Sequence, residues 1–159
     1  MRRLLLMGFV SAICCVGAAR AADVNVPRFE DFAVSDTFTG KAAKVRLVSA
    51  DDKEYATRIR EASHQRPNFA GHYVLASWGC GASCVSSVAI DAKTGHVAWL
   101  PFTVCCWDVD VKEPIESRRD SRLIVVHGSR NETGSGTYYY VLDKGGFKLV
   151  KAVEKTAKK

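Results

Sequence analysis

Val85-Ser86-Ser87-Val88-Ala89-Ile90-Asp91-Ala92-Lys93-Thr94-Gly95-His96-Val97-Ala98-Trp99-Leu100 reads as two strands around a tight turn. Val85–Asp91 is rich in β-branched residues, which fit a pleated, half-buried surface. Ala92-Lys93-Thr94-Gly95 is a turn, with Gly95 free to take a positive φ. His96–Leu100 then returns antiparallel to the first strand.

The same period of two extends outward from this hairpin. His72–Trp78, upstream, is a strand carrying Tyr, Val and Trp. Downstream, Arg122–His127 places Leu123 and Val125 on one face and Ile124 and Val126 on the other. A strand apolar on both sides belongs at the centre of a sheet. Thr137–Asp143 and Phe147–Lys151 form a second hairpin around Lys144-Gly145-Gly146. Near the start, Lys44–Ser49 alternates Val45 and Leu47 against Lys44 and Arg46, which predicts a half-buried strand. One helix follows it. Asp51 and Glu54 resemble a capping box, Tyr55, Ile59 and Ala62 share one face, and Pro67 ends the pattern. The expected fold class is mainly β (α+β), an antiparallel sheet of about six to seven strands with one short helix.

Composition agrees with an ordinary globular chain: 159 residues, 47% hydrophobic and 25% charged. Residues 1–21 read as a signal peptide. Arg2 and Arg3 precede an uncharged run from Leu4 to Val16, and Ala19-Arg20-Ala21 offers small residues for cleavage. The run of about 13 residues is too short to span a bilayer. Residues 22–28 are expected as an extended lead-in, 29–153 as a single β-rich domain and 154–159 as a basic flexible tail. The formal charge of +6 falls to +3 once 1–21, with its three arginines, is removed. The expected location is periplasmic or extracellular, in a bacterium. No nucleic-acid partner is expected, since no basic-aromatic module is present.

Beyond the signal, four cysteines remain: Cys80, Cys84, Cys105 and Cys106. In an oxidising compartment an even count favours disulfides. Three connectivities are open. A bridge between the adjacent Cys105 and Cys106 is sterically awkward, which on geometry alone favours cross-links between the two segments.

The search for chemistry yields no catalytic set. Trp78-Gly79-Cys80-Gly81-Ala82-Ser83-Cys84 has x-x-x spacing and a following strand, where a redox-active thiolate sits in Cys-x-x-Cys at a helix start. A Cys–His pair, Cys84 with His72 or His127, requires a free thiolate. Gly128–Gly136 is rich in Gly and Ser but lacks the Gly-Lys-Ser/Thr ending of a phosphate loop. It reads as a flexible connection. Asp108, Asp110, Glu113 and Glu116 match no calcium-loop pattern and read as a solvated acidic edge. No metal and no cofactor are expected.

Asn68-Phe69-Ala70-Gly71-His72-Tyr73, Trp78-Gly79-Cys80-Gly81 with Cys84, Asp91-Ala92-Lys93-Thr94-Gly95 and Gly136-Thr137-Tyr138-Tyr139-Tyr140 together resemble a family of small secreted bacterial proteins of uncharacterised activity. The resemblance spans roughly Phe29 to Leu149. It implies that Cys80 pairs with Cys84, against the geometric preference above, and leaves the state of Cys105 and Cys106 open. A small, signal-bearing, disulfide-stapled β-domain is also similar in format to periplasmic inhibitors of cell-wall hydrolases.

The function expected is therefore a secreted or periplasmic binding or inhibitor protein whose partner is a protein, a cell-wall hydrolase being one guess. Its candidate contact residues are Gly81, Ser83, Trp107, Ser129, Asn131 and Ser135. Two alternatives are a thiol-dependent enzyme, either an oxidoreductase or a Cys–His hydrolase, and a structural envelope component whose lysine-rich tail touches anionic polymers.

Overall fold

The computed structural model describes residues 25–155; the expected signal peptide, the start of the lead-in and the last four residues of the tail lie outside them. The regular elements are a 3-10 turn (Phe29–Phe32), α1 (Ala50–Glu54), α2 (Ala56–Ser63) and eight strands. The strands are β1 (Tyr73–Gly81), β2 (Cys84–Asp91), β3 (Val97–Trp99), β4 (Val104–Cys105), β5 (Ile115–Ser117), β6 (Leu123–Arg130), β7 (Thr133–Asp143) and β8 (Gly146–Glu154). All pairings are antiparallel, in the order β1-β2-β4-β6-β7-β8, with β3 also on β2 and β5 also on β6. The mainly-β reading is correct; six of the expected strands are present, and the short β4 and β5 bring the sheet to eight.

Alternation along the strands divides the core by sheet face. Phe69, Ala89, Leu100, Val104, Ile124, Val126, Tyr138, Tyr140 and Leu142 form the main cluster on one face. Phe147 packs against it, its ring stacked on Phe69 with 6.2 Å between centroids. The other face is covered in two separate places. Ile59 and Ala62 of α2 pack on Val74, Trp78, Val88, Ile90 and Val97. Phe29 and Phe32 pack on Leu123, Val125, Tyr139 and Val141. Leu123–Val126 is buried on both sides, as a central strand must be.

Three local expectations are corrected. Lys44–Ser49 is not a strand. Val45 and Leu47 do face the helix-side cluster, as their alternation predicts. Their backbone, however, runs past a turn rather than a strand, bonding to it through Ala43 N–H to the Ala92 carbonyl and Arg46 N–H to the Gly95 carbonyl. Gly95 (φ +73) permits this approach, since a Cβ there would collide with the Lys44 carbonyl. The helix starts two residues earlier than Asp51 and Glu54 suggest. Ser49 is the N-cap and Asp52 closes the capping box, and Tyr55 interrupts the run between α1 and α2. Gly128–Gly136 is not a flexible connection either: β6 and β7 continue through it to the two-residue turn Asn131-Glu132.

The tail boundary also moves. Glu154 is the last residue of β8 and pairs with Gly136, while Lys155 donates its N–H to the Ser135 carbonyl and pairs its ammonium with Asp108. No helix among the described residues is long and apolar enough to cross a membrane.

Candidate functional site

Two hairpin tips and a short strand meet at one end of the sheet. The β1–β2 hairpin turns at Ala82-Ser83, with Gly81 opposite Cys84 and a bulge between Gly79 and Gly81. The β6–β7 hairpin turns at Asn131-Glu132, with Arg130 opposite Thr133. β4 lies between them and joins them: Cys84 pairs with Cys105, and Cys105 pairs with Ser129. Segments far apart in sequence are thereby placed side by side.

Backbone conformation at this end is unusual. Ser83 (φ 50), Cys106 (φ 57), Asn131 (φ 48) and Glu132 (φ 61) are all in the left-handed region, leaving only Ala70 and Lys144 among such non-glycine residues elsewhere in the described chain. Each costs about 1 kcal/mol or more, and such conformations cluster at binding and catalytic sites. Asn131 and Glu132 both at positive φ give the mirror-image turn whose twist suits a hairpin. Asn-Gly is the sequence such turns favour; glutamate at the second position hides it.

The tips are held by specific bonds. A disulfide joins Cys80 and Cys84, with Cα atoms 5.2 Å apart. That pairing is the one the family resemblance implies, and it replaces the cross-segment bridges that geometry alone favoured. Asn131 Oδ1 accepts from Thr103 N–H at 2.9 Å, and Asn131 N–H donates to the Thr103 carbonyl at 2.9 Å. Ser129 Oγ donates to the Gly134 carbonyl. Gly128 (φ 116) lets β6 approach β4, because a Cβ would strike the Cys105 carbonyl.

Of the six candidate contact residues, Gly81, Ser83 and Asn131 are exposed at the tips. Ser129 is only 5% exposed and Trp107 packs against the main core, so both support the end rather than present it. Ser135 is half-buried, its carbonyl held by Lys155. Cys106, Glu132 and Thr133 are also exposed here. Cys105 and Cys106 carry free thiols, with the sulfurs 2.6 Å apart, longer than a covalent bond of about 2.0 Å. The hydrogen bond with the Cys106 thiol, together with burial, pushes the Cys105 thiol above its usual range.

Of the two histidines considered with Cys84, His72 is not brought to this end. His72 lies beyond the opposite end of β1, about 25 Å along the ladder from Cys84, between Asp36 (2.9 Å) and Asp91 (3.8 Å). His127 Nε2 is 2.8 Å from Glu116 Oε1. The acidic edge is partly neutralised in the same way, Asp108 by Lys155 and Glu116 by His127 when protonated. Among the described residues no group of three or more His, Cys, Asp or Glu is arranged to hold a metal.

A second feature lies elsewhere. A groove of about 700 Å³ between residues 41–45 and α2 is lined by Lys41, Lys44, Arg60 and His64, with no acidic side chain.

The sequence motifs occupy structural positions. Asn68 bonds both the N–H and the carbonyl of Leu75. Asp91 caps its own turn through Lys93 N–H and Thr94 Oγ1. Tyr138 and Tyr140 are core residues. Comparison with protein-family models, with curated proteins and with solved structures finds no match.

Proposed function

We propose that the protein is a binding or inhibitor protein of the periplasm or the extracellular space, and that it recognises a protein partner through the end built by the β1–β2 tip, β4 and the β6–β7 tip. The observation that carries this reading is the concentration of left-handed backbone at two exposed tips, the first stapled by its own disulfide, the second bonded to Thr103, and both joined through β4. Tips fixed before binding lose little conformational entropy on association. The disulfide and the signal-like residues 1–21 support the location. By format, a cell-wall hydrolase is the first partner to try.

The test is capture of partners from the envelope fraction and culture supernatant by the wild type and by Ser83→Arg and Asn131→Arg. Loss of one saturable partner from both variants, with Lys53→Glu on exposed α1 behaving as wild type, supports the reading. Equal capture by all of them refutes it.

The basic groove supports a second reading, contact with an anionic envelope polymer. Lys44→Glu with Arg60→Glu would then abolish cosedimentation with cell walls at low salt, and high salt would release the wild type.

A further inference from the structure

The four cysteines among the described residues are arranged as two outer and two inner sulfurs. Cys80 and Cys106 are exposed, Cys84 is half-buried and Cys105 is buried. The inner two are direct antiparallel partners on β2 and β4. Opposed residues in such a pair have Cα atoms about 4.5–5.5 Å apart and side chains on one face, within the span of a disulfide. Cys84 is already bonded to Cys80, and the Cys105 thiol faces the Cys106 thiol. A disulfide and a dithiol thus stand side by side, each with one member open to solvent.

We infer that the disulfide migrates between the two pairs by thiol–disulfide exchange across the β2–β4 ladder. This activity goes beyond partner binding. In the first step the Cys105 thiolate attacks Cys84 Sγ; the Cys84–Cys105 bond forms, the Cys80–Cys84 bond breaks, and Cys80 leaves as a thiolate. In the second the Cys106 thiolate attacks Cys105 Sγ; the Cys105–Cys106 bond forms and Cys84 leaves as a thiolate. The protons lost by Cys105 and Cys106 pass through solvent to Cys84 and Cys80. One disulfide is reduced and one formed, so no outside oxidant or reductant takes part. The result moves the exposed thiol from Cys106 to Cys80.

The backbone at Cys106 lies in the left-handed region (φ 57). Three groups bear on the attacking thiol. They are the Cys106 thiol beside it, the Glu132 N–H, which favours the thiolate, and the Glu132 carboxylate, which opposes it. The Cys84 sulfur facing it from β2 does not titrate while bonded. Because the attacking species is the thiolate, exchange accelerates about tenfold per pH unit below the Cys105 pKa.

The experiment maps sulfur bonds by mass spectrometry after incubation without oxygen, acid quench and alkylation in denaturant. Trypsin cuts after Lys93 and Lys112, so the two pairs fall on different peptides. In the wild type, bridges within both peptides are expected, each in chains whose other pair is alkylated. Cys106→Ser and Cys106→Ala, changed at an exposed position, should stop at the intermediate: a Cys84–Cys105 bond joining the peptides, with Cys80 alkylated. Cys105→Ser should keep only the Cys80–Cys84 bridge. If both Cys106 variants fold and yield only Cys80–Cys84, with no joined peptide at any pH, the exchange does not occur. A wild type in which only the Cys80–Cys84 bridge is ever found overturns it equally.

Discussion

Trp99 Nε1 on β3 donates a 2.8 Å hydrogen bond to Oδ1 of Asp52 on α1, and this bond fastens the helix to the sheet. The second oxygen of Asp52 accepts from Val48 N–H and Ser49 N–H, each at 2.8 Å. The carboxylate is 4% exposed, yet fully bonded. Burial opposes its ionisation, but the bonds from Trp99, Ser49 and Val48 outweigh burial and hold its pKa below the usual carboxylate value. A depressed folded pKa contributes stability above the unfolded pKa of about 3.9, and that stability is lost as pH falls through the folded pKa. Asp52→Asn should cost about 2 kcal/mol at pH 7 in urea unfolding. The gap from wild type should close as the pH falls through the folded pKa.

Replacing Cys80 and Cys84 together by serine should cost only about 2 kcal/mol. The bridge closes a five-residue loop, and chain-entropy stabilisation grows with loop length. Thermal unfolding should shift by several degrees, and the slope of the urea transition should stay unchanged, because the core is untouched.

Gly128→Ala should destabilise by more than about 2 kcal/mol, since the new Cβ needs a left-handed backbone and meets the Cys105 carbonyl at once. The strain falls on the β4–β6 pairing, so partner capture should weaken as well. Chemical denaturation and capture, measured on one preparation, check both effects.

Arg130 lies 3.8 Å from the centroid of the buried Tyr138 ring and donates to Tyr140 Oη at 2.7 Å. Lysine keeps the charge but neither stacks as a plane nor reaches with a fork. Arg130→Lys should cost about 1–2 kcal/mol. Glu154→Gln, which removes only an exposed ion pair 3.9 Å from the same guanidinium, should cost less than about 0.5 kcal/mol. Urea titration of both variants separates stacking from charge.

The hairpin Val85–Leu100 and the central strand at Leu123 were legible because their alternation is buried on defined faces. β4 and β5 were not, since strands of two and three residues carry no period. The Gly-rich run 128–136 reads as a loop by composition. Its glycines instead serve close strand approach: a Cβ on Gly136 would strike the Val153 carbonyl. The lysine-rich end reads as a solvated tail, but Lys148 and Lys155 are paired with Asp143 and Asp108. The candidate end was visible only in pieces. Gly81, Ser83 and Asn131 lie in separate segments, and the element uniting them is β4, the strand the sequence conceals.

Hydrogen–deuterium exchange on the protein with its captured partner tests the binding end most directly. Slowed exchange concentrated at residues 79–85, 104–107 and 129–134 is the expected result. Slowed exchange confined to residues 41–45 and α2, or along β8, with the two tips unchanged, would contradict it.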